Sequence, residues 1–153
     1  MTTLRALQWL FILGIAGAAY SDEKADTKGH EHFISKSPEG AAVFIIKPLD
    51  GEKFKSDESI DILFGLRGMG VAPAGVQVDN TGHHHLLINV DSIDFNISIP
   101  ASDNHIHFGG GQTETVLDLL PGEYTLQLLL GDMYHVPHDP PVLSNKISLI
   151  VTD

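Results

Sequence analysis

Short alternations of apolar and polar residues run along the chain from residue 41 onward, and they predict strands rather than helices. In "SIDILFGLR", Ile60, Ile62, Phe64 and Leu66 fall on one face, because successive strand side chains point to opposite sides. "YTLQLLL" repeats the pattern with Tyr124, Leu126, Leu128 and Leu130. "AVFIIKP", "HHHLLINV", "IDFNISIP", "NHIHF", "TETVLDL" and "KISLIV" supply further short β-rich runs. Pro48 stops the first of them, since proline cannot donate to a ladder. "GMGVAPAGVQVDNTG" reads as a long loop with room for a short edge strand. A turn at residues 102–104 joins "IDFNISIP" to "NHIHF".

The expected fold class is therefore all-β. About seven main strands in roughly 110 residues match the size of an immunoglobulin-like antiparallel β-sandwich. "LPGEYTLQL" adds a cue. A Pro-Gly turn before a tyrosine at a strand start is the setting of a tyrosine corner, with the hydroxyl bonded back to nearby backbone. No convincing 3.6-residue period and no internal repeat occurs beyond residue 40.

The first forty residues have a different texture. A lone Arg5, the apolar run "ALQWLFILGIAGAAY" and small residues at 16–18 form the layout of a secretory signal peptide over 1–20, cleaved near 18–20. The run is shorter than the ~20 residues that span a bilayer; an uncleaved anchor is the alternative. Residues 21–40 are polar, charged and aperiodic, a flexible leader. Residues 41–153 then form a single domain. The expected location is periplasmic or secreted, with no membrane anchor after signal cleavage.

Composition narrows the chemistry. The absence of cysteine excludes disulfides, a thiolate nucleophile and thiolate metal ligands. The net charge of −11 repels phosphates, so no nucleic-acid partner is expected. "HFGGGQTET" is not a phosphate loop, because no helix follows it and the domain is acidic. Its glycines permit a bend or bulge after His107 and Phe108, with Gln112, Thr113 and Glu114 expected to cap it or, alternatively, to hydrogen-bond and orient metal ligands. No nucleophile elbow and no helical "HExxH" occurs, so nothing specific points to a hydrolase.

The histidines remain. There are nine, and seven lie between residues 83 and 138. Strand parity groups His84 with Leu86, Ile88 and Val90 toward the core, as a hydrogen-bonded rim residue, and sends His83 and His85 to the other side. The same parity puts Ile106 and Phe108 inside and His105 and His107 outside. Same-face neighbours on a strand are about 6.5–7 Å apart, so paired imidazoles can converge on one ion with bonds near about 2.0–2.1 Å. "MYHVPHDPPV" adds His135, His138 and Asp139 in a loop stiffened by prolines, with Met133 as a possible soft donor. Nitrogen and carboxylate donors without thiolate suit copper(II), zinc, nickel or non-haem iron, and copper or zinc is the expected ion. The expected metal set is His83, His85, His105, His107, His135, His138 and Asp139. His30 and His32, in the leader, would bind metal weakly. A solvated His-x-His surface is the plain alternative.

"GHHHLLI", "NHIHFGGGQTE", "LPGEYTLQLLLGD" and "HxPHDPPVxS" together resemble an uncharacterised family of exported bacterial domains. The resemblance covers about residues 42–152. It implies an exported bacterial domain and brings no activity, ligand or catalytic residue. A looser likeness is to copper-handling periplasmic β-sandwiches and copper–zinc superoxide dismutases, which also place His-x-His on a strand. This chain lacks the cysteines of the latter and the methionine-rich motifs of some of the former. Metal binding is thus the leading expectation, beside a metal-dependent enzyme and a non-catalytic interaction module with surface histidines.

Overall fold

The computed structural model describes residues 34–153. The expected signal peptide at 1–20, the first part of the polar leader, and His30 and His32 lie outside the described residues. The described residues form nine strands and no helix: β1 (Ala42–Lys47), β2 (Glu52–Lys55), β3 (Ile60–Arg67), β4 (Gly70–Val71), β5 (Thr81–Ile88), β6 (His105–His107), β7 (Glu114–Leu117), β8 (Gly122–Gly131) and β9 (Ile147–Thr152).

They make two sheets. One has the order β1-β3-β7. The other has the order β2-β9-β8-β5-β4, with β6 also paired to β5. Strand β5 is thus flanked by β8 on one side and by β4 and β6 in succession on the other. The pairs β2/β9 and β4/β5 are parallel. The purely antiparallel sheet expected from the sequence is corrected to a mixed one.

The two sheets share one core. Val43, Ile60, Ile62, Phe64 and Leu117 meet Leu86, Ile88, Leu126, Leu128, Leu130, Leu149 and Val151. Each such side chain contributes about 1.5–3 kcal/mol when fully buried. Parity assigns these faces correctly in β3, β8 and β5 as far as Ile88, with Leu66 and Tyr124 partly buried at the margin. Val90, expected toward this core, packs instead with Leu87 and Leu129, because the left-handed Asn89 (φ +55°) breaks the alternation. The Tyr124 hydroxyl donates to the Leu120 carbonyl at 3.0 Å, as a tyrosine corner requires.

Two elements differ from expectation. β2, "EKFK", escapes a hydrophobic pattern because only Phe54 packs on the core. "IDFNISIP" alternates but forms no strand. Its Asp94 carboxylate accepts a hydrogen bond from the Asn96 amide at 2.9 Å, a local turn that competes with a ladder. The segment instead lies over the outer face of the larger sheet, where Ile93, Phe95 and Ile99 pack with Leu87, Leu129 and Leu143. That face is therefore covered, which decides the surroundings of the histidines.

The end of the polar leader is hydrogen-bonded to the domain. Residues 35–37 run parallel to Asp139, whose amide donates to the Ser35 carbonyl at 2.9 Å and whose carbonyl accepts from the Ser37 amide at 3.2 Å.

Candidate metal centre

The three consecutive histidines of β5 are all buried, yet they face different surroundings. His84 points to the shared core with its ring centroid 5.2 Å from that of Phe64. Its Nδ1 lies 3.3 Å from the Gln112 carbonyl. His83 and His85 point to the opposite face, as parity predicts. They are each only 1% exposed, because the cover over this face removes them from solvent. The plain alternative of a solvated His-x-His surface therefore does not describe this pair.

Strand register selects their neighbours. His107 of β6 stands opposite His85, and His105 stands opposite Leu87. Because β6 runs antiparallel, only His107 comes beside the β5 pair. On the other flank, Gly131 of β8 stands opposite His83. The turn that follows β8 therefore begins beside His83, and it delivers His135. Four imidazoles converge. Their ring centroids are separated by 4.8 Å (His83–His85), 4.9 Å (His83–His107), 4.9 Å (His83–His135), 5.1 Å (His85–His107), 6.0 Å (His85–His135) and 4.6 Å (His107–His135). One donor atom each from His83, His107 and His135 lies within 4.8 Å of the other two, a group that could hold a metal ion. The burial is graded: His83 and His85 are deep, His135 is half-buried and His107 is exposed.

Two glycines make this packing possible. A Cβ on Gly131 would fall 2.7 Å from His85 Cε1, and one on Gly109 would fall 2.3 Å from His107 Cε1. Each bare Cα is the wall against which an imidazole rests. The glycine run thus does more than bend the chain. Gln112 caps that bend, its Oε1 accepting from the Gly110 amide at 3.0 Å.

The turn after β8 is held from within. The buried Asp132 carboxylate accepts from the amides of Tyr134 (2.9 Å) and Val136 (3.0 Å) through Oδ1, and from the Ser35 hydroxyl (2.8 Å) through Oδ2. His135, at the turn's centre, has φ +67°, a left-handed conformation that non-glycine residues adopt at a cost of about 1–3 kcal/mol.

Burial and mutual repulsion keep His83, His85 and His107 neutral. His83 is pushed down to about 4, first by burial and then by His135 and His107, with Asp132 opposing. Burial, followed by the charges of His83, His107 and His135, takes His85 to about 3. His107 is lowered by desolvation and by His135. Burial lowers His84, opposed by its hydrogen bond to Gln112. At neutral pH His83, His85 and His107 therefore offer imidazole lone pairs rather than imidazolium protons. His107 Nε2 and His135 Nε2 are 3.1 Å apart. Two donors on one tetrahedral ion would stand about 3.3 Å apart given bonds near about 2.0–2.1 Å. Both ring nitrogens of His83 and of His85 are buried without a hydrogen-bond partner.

The other expected donors are engaged elsewhere. His105 Nδ1 lies 2.9 Å from the Ser102 hydroxyl. His138 sits between carbonyls, with Nε2 3.1 Å from that of Thr81 and Nδ1 3.4 Å from that of Leu130. The Asp139 carboxylate pairs with Lys36. Met133 lines a cavity with Ser35, Val78 and His138. Two groups that shape the site, Asp132 and Gly131, carry no reading in the sequence analysis, whereas Gly109 stands there as part of a bend. For Asp132 a signal existed, since an aspartate between a long strand and a histidine-bearing turn is a standard local hydrogen-bond acceptor.

Fold and site together define an all-β domain with an imidazole cluster on the covered face of its larger sheet. A family model described as a domain of unknown function, DUF4399, matches residues 62–152, and the chain belongs to that family. No curated protein matches it in sequence. Among solved structures, an X-ray structure of the endo-beta-1,4-mannanase from Thermotoga petrophila is similar at 17% identity and a TM-score of 0.41, over 74% of this chain and 20% of that one. The chain thus spans a fifth of that enzyme's length.

Proposed function

We propose that this domain binds a divalent transition metal, copper(II) or zinc, through His83, His107 and His135, with His85 as a fourth imidazole beside them. The observation that carries the reading is the set of four buried, partnerless ring nitrogens on His83 and His85. A buried polar atom without a partner costs about 1–3 kcal/mol, and folded proteins tolerate few of them. A metal ion accepts lone pairs that no protein hydrogen bond uses. The donor set is nitrogen without thiolate, which favours copper(II) or zinc over copper(I).

Elemental analysis of the purified protein, with separate copper(II) and zinc titrations, tests this. One ion per chain is expected, lost in a His83/His107/His135→Ala variant. Equal binding by both proteins would end the reading.

Export to the periplasm or beyond the cell is part of the same proposal, supported by the Arg5, apolar run and small-residue sequence at the N-terminus. The mass of the protein recovered from expressing cells should correspond to cleavage near residues 18–20. Recovery only as the uncleaved chain would oppose it.

A metal-dependent enzyme is the second reading. It is favoured by the exposed His107 and half-buried His135, which leave the cluster reachable from one side. Three protein donors with an open fourth position characterise catalytic zinc sites. Azide added to the copper(II)-loaded protein should shift its visible spectrum if a position is open. An unchanged spectrum would favour a closed binding site.

A further inference from the structure

The loop that presents His135 carries a device that none of the metal donors explains. Asp132 is 2% exposed, and both its backbone and its carboxylate are hydrogen-bonded to this turn or to the N-terminal segment. Its amide donates to the Val136 carbonyl at 2.8 Å, and its carbonyl accepts from the His135 amide at 2.9 Å. Its carboxylate takes Tyr134, Val136 and Ser35 as described. Ser35 is 97 residues away in the chain, so the contact is not a local turn habit. Residues 35–37 are themselves fixed along Asp139.

We propose that Asp132 is a positioning residue for His135, and that Ser35, from the segment preceding β1, completes the support. The proposal rests on the metal reading above and adds to it a physical link between the N-terminal segment and the ion. A left-handed histidine is held only if the surrounding structure over-determines it. Asp132 supplies that constraint through four hydrogen bonds within the turn, two of its backbone and two accepted by its carboxylate. The chain of contact runs from Ser35 to Asp132, to the 132–136 turn, to the His135 ring and so to the cluster. Because binding couplings are reciprocal, an ion on His135 favours the docked N-terminal segment as much as the docked segment favours the ion.

The test has a metal-free arm and a copper(II) arm. In the metal-free protein, amide hydrogen exchange at Tyr134, His135 and Val136 should speed up in Asp132→Ala and, less strongly, in Ser35→Ala. In the second arm, Asp132→Ala should lower copper(II) affinity about tenfold, the range seen for residues that orient a ligand. Asp132→Asn should restore most of it, because the amide oxygen can still accept from Tyr134 and Val136. In a His135→Ala background the Asp132→Ala change should have no further effect, since groups acting through one another are non-additive. The copper(II) electron paramagnetic resonance spectrum should change in Asp132→Ala and return in Asp132→Asn.

If Asp132→Ala does not fold, Ser35→Ala carries the same cycle with a smaller loss. Equal losses in Asp132→Ala and Asp132→Asn would assign the effect to charge and overturn positioning. So would a loss undiminished without His135. A wild-type protein that binds no copper(II) or zinc would remove the metal reading, while the exchange arm still decides whether Asp132 holds the turn.

Discussion

The two faces of β5 carry the same residue type, equally buried, with different surroundings. On the core face, His84 is a lone imidazole against Phe64, with Nδ1 on the Gln112 carbonyl. On the covered face, His83 and His85 have no hydrogen-bond partner at either nitrogen and have His107 and His135 at their sides. Burial does not separate them. What does is company: one histidine with apolar neighbours is a core residue, whereas four that share a small volume form a donor set.

The largest expected effect tests that contrast directly. His83→Ala should reduce copper(II) or zinc affinity by more than about a hundredfold, beyond the loss typical of residues that only orient ligands. His84→Leu should leave affinity unchanged. Competition titration against a chelator measures both. A comparable loss in His84→Leu would erase the functional difference between the faces.

Next comes steric pressure from behind the rings. Gly131→Ala and Gly109→Ala would each press a methyl group into an imidazole, and overpacking of this kind costs about 1–3 kcal/mol. Chemical denaturation should show that loss, with metal affinity falling too. Stability unchanged in both would mean that the rings can move aside.

The pH dependence sharpens the comparison further. The folded values of about 4 for His83 and about 3 for His85 lie below the ordinary 6.5. Between these limits the unfolded chain binds more protons than the folded one, so stability rises with pH there. The contribution is complete above about 6.5 and is lost as pH falls toward 4 and 3. Urea unfolding of the metal-free protein at pH 7.5, 5.5 and 4.5 measures the slope. A His83→Gln/His85→Gln variant should have a shallower one. The smallest effect lies away from both faces: Tyr124→Phe should cost about 0.5–1.5 kcal/mol without altering metal affinity.

Much of the fold was legible because parity is a strong constraint. It placed Ile60, Ile62, Phe64, Leu126, Leu128 and Leu130 in the core, and it separated His84 from its neighbours. It also brought His107 toward His83 and His85 once β5 and β6 were adjacent. The rest depended on things that alternation does not encode. "IDFNISIP" alternates because it packs as a cover, not because it joins a ladder. His105 and His107 look equivalent in sequence, and only antiparallel register tells them apart. His135 and His138 share a loop, yet the turn organised by Asp132 sends one to the cluster while the other lies between backbone carbonyls. Gly109 is visible in the sequence as part of a bend, and Gly131 only as the last residue of a strand. Their use as flat walls for imidazoles is a property of what stands opposite.

The placement of His83, Gly131, His85 and His107 in matched register has one more consequence. A strand that slips by one residue turns every side chain to the opposite face. A misaligned β5 would show the outer sheet face a single His84 and bury two imidazoles among aliphatics. Such a chain could remain compact and rich in β-structure, yet it would take up no ion at this site. Metal uptake would then act as an assay of correct assembly, separating properly aligned molecules from misaligned ones that most bulk measurements of secondary structure would count as alike.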